Sequence, residues 1–295
     1  MRYPILASLL VASTLCAQNA PTFEERLAAR EAAIDGRLGF DVTSQYFFRG
    51  IQQENQGIIF QPWLELNSEL WQADDGEQSV DLVFGQWNSL HDGPTGTGGV
   101  GGVWYESRFF FGANAQVSER FQVGARLNFY STPNNGGFAR GLSNITELQV
   151  DVRFDDTGVL VEDFALNPYA TIAIELNNQR DGGSDEGQYV ELGIAPQFEI
   201  GAIGEAPVVL TTPVRLGLGT GGYYERPVTN GDDDFFGFLQ LGGVASAPLE
   251  FLPAGMGPWV GHVGLHALLL GDNNEARNGG DGAELIFEFG MSTFF

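Results

Sequence analysis

Three histidines, several clusters of acids and a single cysteine are the side chains of this sequence that could do chemistry. His262 and His266 are four residues apart. On a helix that spacing would let them share a metal. On a strand it sets them roughly 13 Å apart, too far for one ion or for a nucleophile and its base. Their neighbours alternate as in a strand, so both are expected to line or pack an interior. His91 opens a glycine-rich run, residues 91–102, and is expected to be solvated in a loop. The sequence brings no serine, histidine and acid together. The clusters at residues 181–186, 232–234 and 272–275, with Asp281, offer the hard oxygens that Ca²⁺ or a divalent bridge to lipopolysaccharide would take. None has the spacing of an EF-hand loop, so they read as solvated turns, and no metal or cofactor is assigned.

The elements that must position these residues begin with a leader. Residues 1–17 carry one arginine, an apolar run too short to span a bilayer, and then small residues, the pattern of a secretory signal peptide cleaved after Ala17. Cys16 would leave with it, so the exported protein is expected to have no disulfide. Residues 18–36, with a weak apolar stripe at Phe23, Leu27 and Ile34, read as a short periplasmic lead-in to a single domain over residues 37–295. The chain holds 38 acidic against 14 basic residues, all arginine, for a net charge of −24. That field repels nucleic acid and excludes phosphate-binding functions.

From Arg37 the apolar period becomes two, the mark of a strand with one buried or lipid-facing side. Leu38, Phe40, Val42, Tyr46 and Phe48 alternate with Gly39, Asp41, Thr43, Gln45, Phe47 and Arg49, predicting one strand that runs on to a turn at Glu54 and Asn55. The alternation returns near residues 58–70, 80–91, 103–111, 121–129, 147–154, 170–176, 190–200, 208–218, 235–249, 259–269 and 283–295, for twelve strands. Connections after odd-numbered strands are longer, glycine-rich and acidic; those after even-numbered strands are mostly shorter. The exception is the first, at residues 50–57. Such alternation on an even number of strands fits a closed antiparallel transmembrane β-barrel with both ends in the periplasm, and a soluble sandwich has no reason to show it. The final strand sets Leu285, Phe287, Phe289, Met291 and Phe295 on one face, with only Thr293 interrupting. It resembles the C-terminal strand of bacterial outer-membrane barrels, and the resemblance implies that Phe287, Phe289, Met291 and the terminal Phe295 are what the assembly machinery reads.

Tyr46, Phe48, Arg49, Gly50 and Ile51 form a Tyr-x-Phe-Arg-Gly-Ile segment followed by a polar turn. This resembles the opening hairpin of the TorF-like family of outer-membrane porins. About twenty residues carry the likeness, and it implies an outer-membrane barrel with no defined substrate. Parity assigns Arg49, Arg108, Arg126, Arg153 and Arg215 to the lumen, with Glu65, Glu106, Glu147, Asp151, Glu175, Glu191, Glu284 and Glu288. Glu106 with Arg108, and Asp151 with Arg153, would pair along their own strands, leaving a negative surplus. Arginine at Asn128, Gln149 or Thr171 on that face would be tolerated. Phe47, Trp63, Trp87, Trp104 and Phe110 fall on the same face and would narrow the pore. The expected function is a small-solute pore, weakly cation-selective and not an enzyme, in contact with outer-membrane lipid, lipopolysaccharide and the assembly machinery. The alternatives are a non-conducting structural, adhesion or binding barrel and, third, a lipid-modifying or proteolytic one.

Overall fold

The structure, a computed structural model, describes residues 34–74, 76–92, 103–133, 144–162, 164–180, 186–226 and 233–295. The leader and nearly all of the lead-in lie outside the described residues, as do most of residues 91–102 and 181–186.

The strands are β1 (Asp35–Thr43), β2 (Tyr46–Phe48), β3 (Ile51–Glu54), β4 (Ile59–Gln72), β5 (Ser79–His91), β6 (Trp104–Gln116), β7 (Phe121–Ser131) and β8 (Asn144–Phe154). They continue as β9 (Tyr169–Asn177), β10 (Gln188–Ile194), β11 (Gln197–Ile203), β12 (Ala206–Thr211), β13 (Val214–Thr220), β14 (Phe236–Pro248), β15 (Trp259–Leu270) and β16 (Ala283–Phe294). A short helix α1 (Asp272–Arg277) joins the last two. β10 and β11 are one strand interrupted at Ala195 and Pro196, and β12 and β13 one strand interrupted at Thr212 and Pro213, because proline has no N–H for the ladder. Counted so, twelve antiparallel strands close into a ring, sealed where β1 pairs with β16.

The faces follow the alternation. Leu82, Phe84, Phe109, Phe111, Phe129, Ile172, Leu192, Val263 and Phe287 are exposed on the outside, while Asp41, Glu65, Glu106, Arg126, Glu147, Glu191 and Arg215 are buried within. Closure pairs every stave, so no lipid-facing edge is left unbonded, and an apolar belt around a polar interior is the form in which strands cross a bilayer. The chain is a bacterial outer-membrane β-barrel.

Glycine in the lumen wall makes room for large neighbours. A Cβ at Gly85 would stand 2.2 Å from the Phe110 ring, one at Gly217 2.2 Å from Phe238, and one at Gly237 2.2 Å from Tyr224. These rings therefore lie flat against the wall.

Two expectations about the strands need correction. The first strand does not continue through Phe48: the chain leaves the wall after Thr43, and β2 and β3 form a separate hairpin. Tyr46 and Phe48, read as outward, are buried along with Phe47. The turn is Arg49-Gly50, both with positive φ (52° and 82°), as a two-residue hairpin turn requires. Arginine is not a residue that announces such a turn. The connection between β1 and β4 is therefore long like the other outer ones, and the exception in loop lengths disappears. The second correction is at Trp104 and Tyr105. The β5–β6 register shifts opposite Ser89 and Leu90, and the extra residue turns Tyr105 inward and leaves Trp104 exposed.

The outer face gives a direct test. Arg in place of Leu127, Val150 or Ile172 should cost about 2–4 kcal/mol near the midplane, read as a shift in the denaturant unfolding curve in vesicles. The expected tolerance at Asn128, Gln149 and Thr171 does not survive. Asn128 donates to Glu147 and Gln149, and Thr171 donates to Asp151, all buried. Arginine there would overpack a filled interior.

Candidate functional site: the filled lumen

The hairpin touches strands all round the ring, which is possible only from inside. The Tyr46 ring lies 5.4 Å from Trp87 of β5, and its hydroxyl donates to Glu106 of β6 at 3.0 Å. Phe48 meets Tyr130 of β7 edge-on at 5.5 Å. At the turn, Arg49 gives a two-pronged ion pair to Glu147 of β8 (2.5 and 2.8 Å) and sits 4.3 Å over the Tyr189 ring of β10. A Cβ at Gly50 would stand 2.9 Å from Phe238 of β14. The hairpin thus crosses the outer half of the lumen and fills it.

A second arginine locks the hairpin from the loop after β9. Arg180 donates to both oxygens of Glu106 (3.0 and 2.5 Å), to the Tyr46 hydroxyl and to Gln53, and lies 4.2 Å over the Phe48 ring. No sequence pattern singles it out, because Arg180 adjoins an acidic stretch and belongs to no alternating run.

Towards the periplasm the charges continue in pairs. Arg215 holds Glu191 at 3.1 and 2.7 Å, with the Tyr169 hydroxyl donating to the same carboxylate at 2.7 Å. Arg126 faces Asp151 at 3.4 Å, and Arg37 binds Glu65 at 2.8 Å. Glu106 and Asp151 therefore draw their arginines from other elements, Arg180 and Arg126, and not from Arg108 and Arg153 on their own strands. Arg108 lies between the rings of Phe110 and Tyr130, at 5.5 and 5.9 Å. Arg153 lines a cavity of about 10 Å³ with Arg37, Glu65, Arg126 and Asp151, space for about one water. Glu175 accepts the backbone N–H groups of Arg180 and Gly187 (2.8 and 3.0 Å). Glu284 accepts from Gln45 and Asn278, and Glu288 faces His266 at 3.3 Å.

The histidines are all inside. His262 lies 2.9 Å from Asp41, which also accepts the Trp63 indole N–H. His91, expected in solvent, ends β5 fully buried, stacked on Tyr105 at 4.6 Å. Its Nε2 is 2.7 Å from Ser89 Oγ and its Nδ1 4.0 Å from Glu54, so the fold does bring a serine, a histidine and an acid together. Ser89 also accepts from Gln61 at 3.2 Å and is wholly buried. Without room beside the hydroxyl for an acyl group, and with the acid beyond hydrogen-bond reach, the trio braces the foot of the hairpin.

Outside the barrel, Arg226, Asp233, Asp234, Asp272, Asn273 and Glu275 line an open cleft of about 530 Å³ beside α1. Among the described residues no group of three or more histidines, cysteines or acids is arranged to hold a metal. At the closing seam Phe295 and Gly36 exchange backbone hydrogen bonds of 2.8 and 2.9 Å, while Phe287 and Phe289 face outward and Met291 is half-buried.

No family model matches this sequence, and no curated protein matches it. Solved structures similar to it are outer-membrane barrels. An outer membrane channel from Pseudomonas putida F1 shares 12% identity over 89% of this chain and 95% of its own, with a TM-score of 0.47. LpxR from Salmonella typhimurium shares 8% over 88% and 100%, at 0.45, and the beta domain of the Bordetella autotransporter BrkA 14% over 88% and 98%, at 0.44. At this level no activity passes from any of them to this chain.

Proposed function

We propose that this barrel is a small-solute channel, closed at rest by its own inward hairpin and weakly cation-selective when open. One observation carries the reading. β1 pairs directly with β4 up to Thr43 opposite Ile59, so the wall is complete without residues 44–58. What closes the outer half is an insertion tethered at two points, not the staves themselves, and a plugged lumen is the arrangement found in large outer-membrane transporters. The likeness of Tyr46, Phe48, Arg49, Gly50 and Ile51 to the TorF-like porins falls on this same insertion, which supports kinship with that family.

The sign of the selectivity follows from the pairing. Glu65, Glu106, Glu147, Asp151 and Glu191 each face an arginine, whereas Asp41 and Glu288 lie beside His262 and His266. With Glu54, Glu175 and Glu284, ten acids named in the interior stand against seven arginines, Arg37, Arg49, Arg108, Arg126, Arg153, Arg180 and Arg215. That negative surplus concentrates cations, and salt screens it, since the Debye length falls from about 10 Å at 0.1 M to about 3 Å at 1 M. The surroundings we assign are outer-membrane lipid and lipopolysaccharide, the assembly machinery, and small solutes or cations. In a planar bilayer, the protein with residues 45–57 replaced by a two-residue turn should show a cation-directed reversal potential across a salt gradient, shrinking as salt rises. An anion-directed potential would mean that the arginines govern the constriction.

A barrel that never conducts is the second reading. The observation favouring it is the charged cluster below the hairpin, where Arg37, Glu65, Arg126, Asp151 and Arg153 line a cavity of about 10 Å³. Silence of the hairpin-shortened protein would decide for it.

A further inference from the structure

We propose that the turn at residues 221–226 and helix α1 form a latch that holds the hairpin tip in the lumen, so that opening is controlled from the extracellular face. The inference rests on the channel reading above. The hairpin is joined to the wall by two covalent ends and, at its far tip, by the Arg49–Glu147 ion pair to β8 and by three polar ties that lead to the turn at residues 221–226 and to the end of α1. The Arg49 carbonyl accepts the Tyr224 hydroxyl at 2.8 Å, and the Arg49 guanidinium donates to the Tyr223 hydroxyl at 2.9 Å. Gln52 Nε2 donates to Asn278 Oδ1 just beyond α1. Gly50 fits only because it lacks a side chain: a Cβ there would stand 2.8 Å from Asn274 Nδ2.

The latch is bound together by its own hydrogen bonds and fixed to the rim at Gly237. Asn273 Nδ2 donates to the Tyr224 carbonyl at 2.7 Å, Asn274 Nδ2 to the Gly237 carbonyl at 3.0 Å, and Arg277 to the Glu225 carbonyl. Turn and helix therefore move as a unit, and the other side of α1 lines the open outer cleft. The link from the foot of the hairpin back to β4 has the opposite character. Asn55, Gln56, Gly57 and Ile58 are exposed, and Gly57 has a φ of 74°, so the backbone there can bend with little packing to disturb. Arg49 sits in the left-handed region, a strained conformation for a residue with a side chain, which persists only while its partners hold it. Freed from the latch, the tip keeps Glu147 but loses the ties at its carbonyl and at Gln52 that help to offset that strain.

The test reads exposure of the hairpin and not current. The chain's one cysteine is Cys16, in the leader, so Ile51→Cys in a Cys16→Ser background places a single thiol on a buried position of β3. A membrane-impermeant maleimide is added to the folded protein in vesicles, with heat-shifted gel mobility as the check on folding. Adding Tyr224→Phe and Asn278→Ala, which remove two of the three ties and cost Glu284 one donor, should raise the labelling rate tenfold or more. If that variant fails to assemble, Gln52→Ala removes one tie from the hairpin side and should give a smaller rise of about threefold. An unchanged rate in either folded variant overturns the latch. The channel reading fails separately, by silence of the hairpin-shortened barrel, whatever the labelling shows.

Discussion

Glu147→Gln is expected to lower the stability of the folded barrel by about 3–5 kcal/mol, the cost of leaving a buried charge without its partner. Arg49 and Glu147 have side chains only 4% and 3% exposed. Once the carboxylate is gone, the Arg49 guanidinium keeps the Tyr223 hydroxyl and the faces of Phe48 and Tyr189, but no counter-charge. Because Arg49 is the hairpin tip, the loss should appear twice, as a lower unfolding midpoint and as a loosened plug. The double substitution Arg49→Met with Glu147→Leu should recover much of the stability, since a packed apolar pair can replace a buried ion pair. A single substitution that left the unfolding curve unmoved would show that water, not Glu147, solvates the tip.

Deleting Phe295 should reduce the assembled protein at least tenfold while the synthesis rate stays unchanged. The residue has two roles in the seam. Its backbone exchanges both hydrogen bonds with Gly36, the last rung of the β1–β16 pairing, and its ring packs into the space that Gly36 leaves. A Cβ at Gly36 would stand 2.7 Å from that ring. The measurement is the heat-shifted band in outer-membrane fractions of the deletion and the parent. Equal bands would mean that the ladder from Arg37 to Thr43 closes the ring without help.

The barrel was legible because the lipid face repeats a single instruction. Leu127, Val150 and Ile172 must be apolar and their neighbours need not be, so period two survives in every stave. Even the broken strands at Pro196 and Pro213 keep their parity across the break: Val208, Leu210, Val214 and Leu216 stay on one side. The site was less legible. Tyr46 and Phe48 obey the same alternation as the lipid face, and periodicity does not distinguish an apolar residue against lipid from one against a lumen wall. Only the Arg49-Gly50 turn separates them, and its positive φ values are a property of the fold, not of residue type. His91 looked solvated because the glycines after it dominate its surroundings in sequence, whereas its neighbours in space, Ser89, Tyr105 and Glu54, come from three strands. The pairings of Glu106 with Arg180 and Asp151 with Arg126 escaped for the same reason: cross-strand and loop partners are set by shear and closure, which no local pattern encodes.

The central claim is that the hairpin, and not the barrel wall, closes the lumen. The measurement that tests it most directly is single-channel current in a planar bilayer from two proteins side by side, the full chain and the form with residues 45–57 replaced by a two-residue turn. The full chain should be silent apart from rare brief openings, and the shortened form should conduct in steady steps. Steady current of equal size from both would show that the hairpin does not occupy the lumen in the membrane, and would contradict the claim.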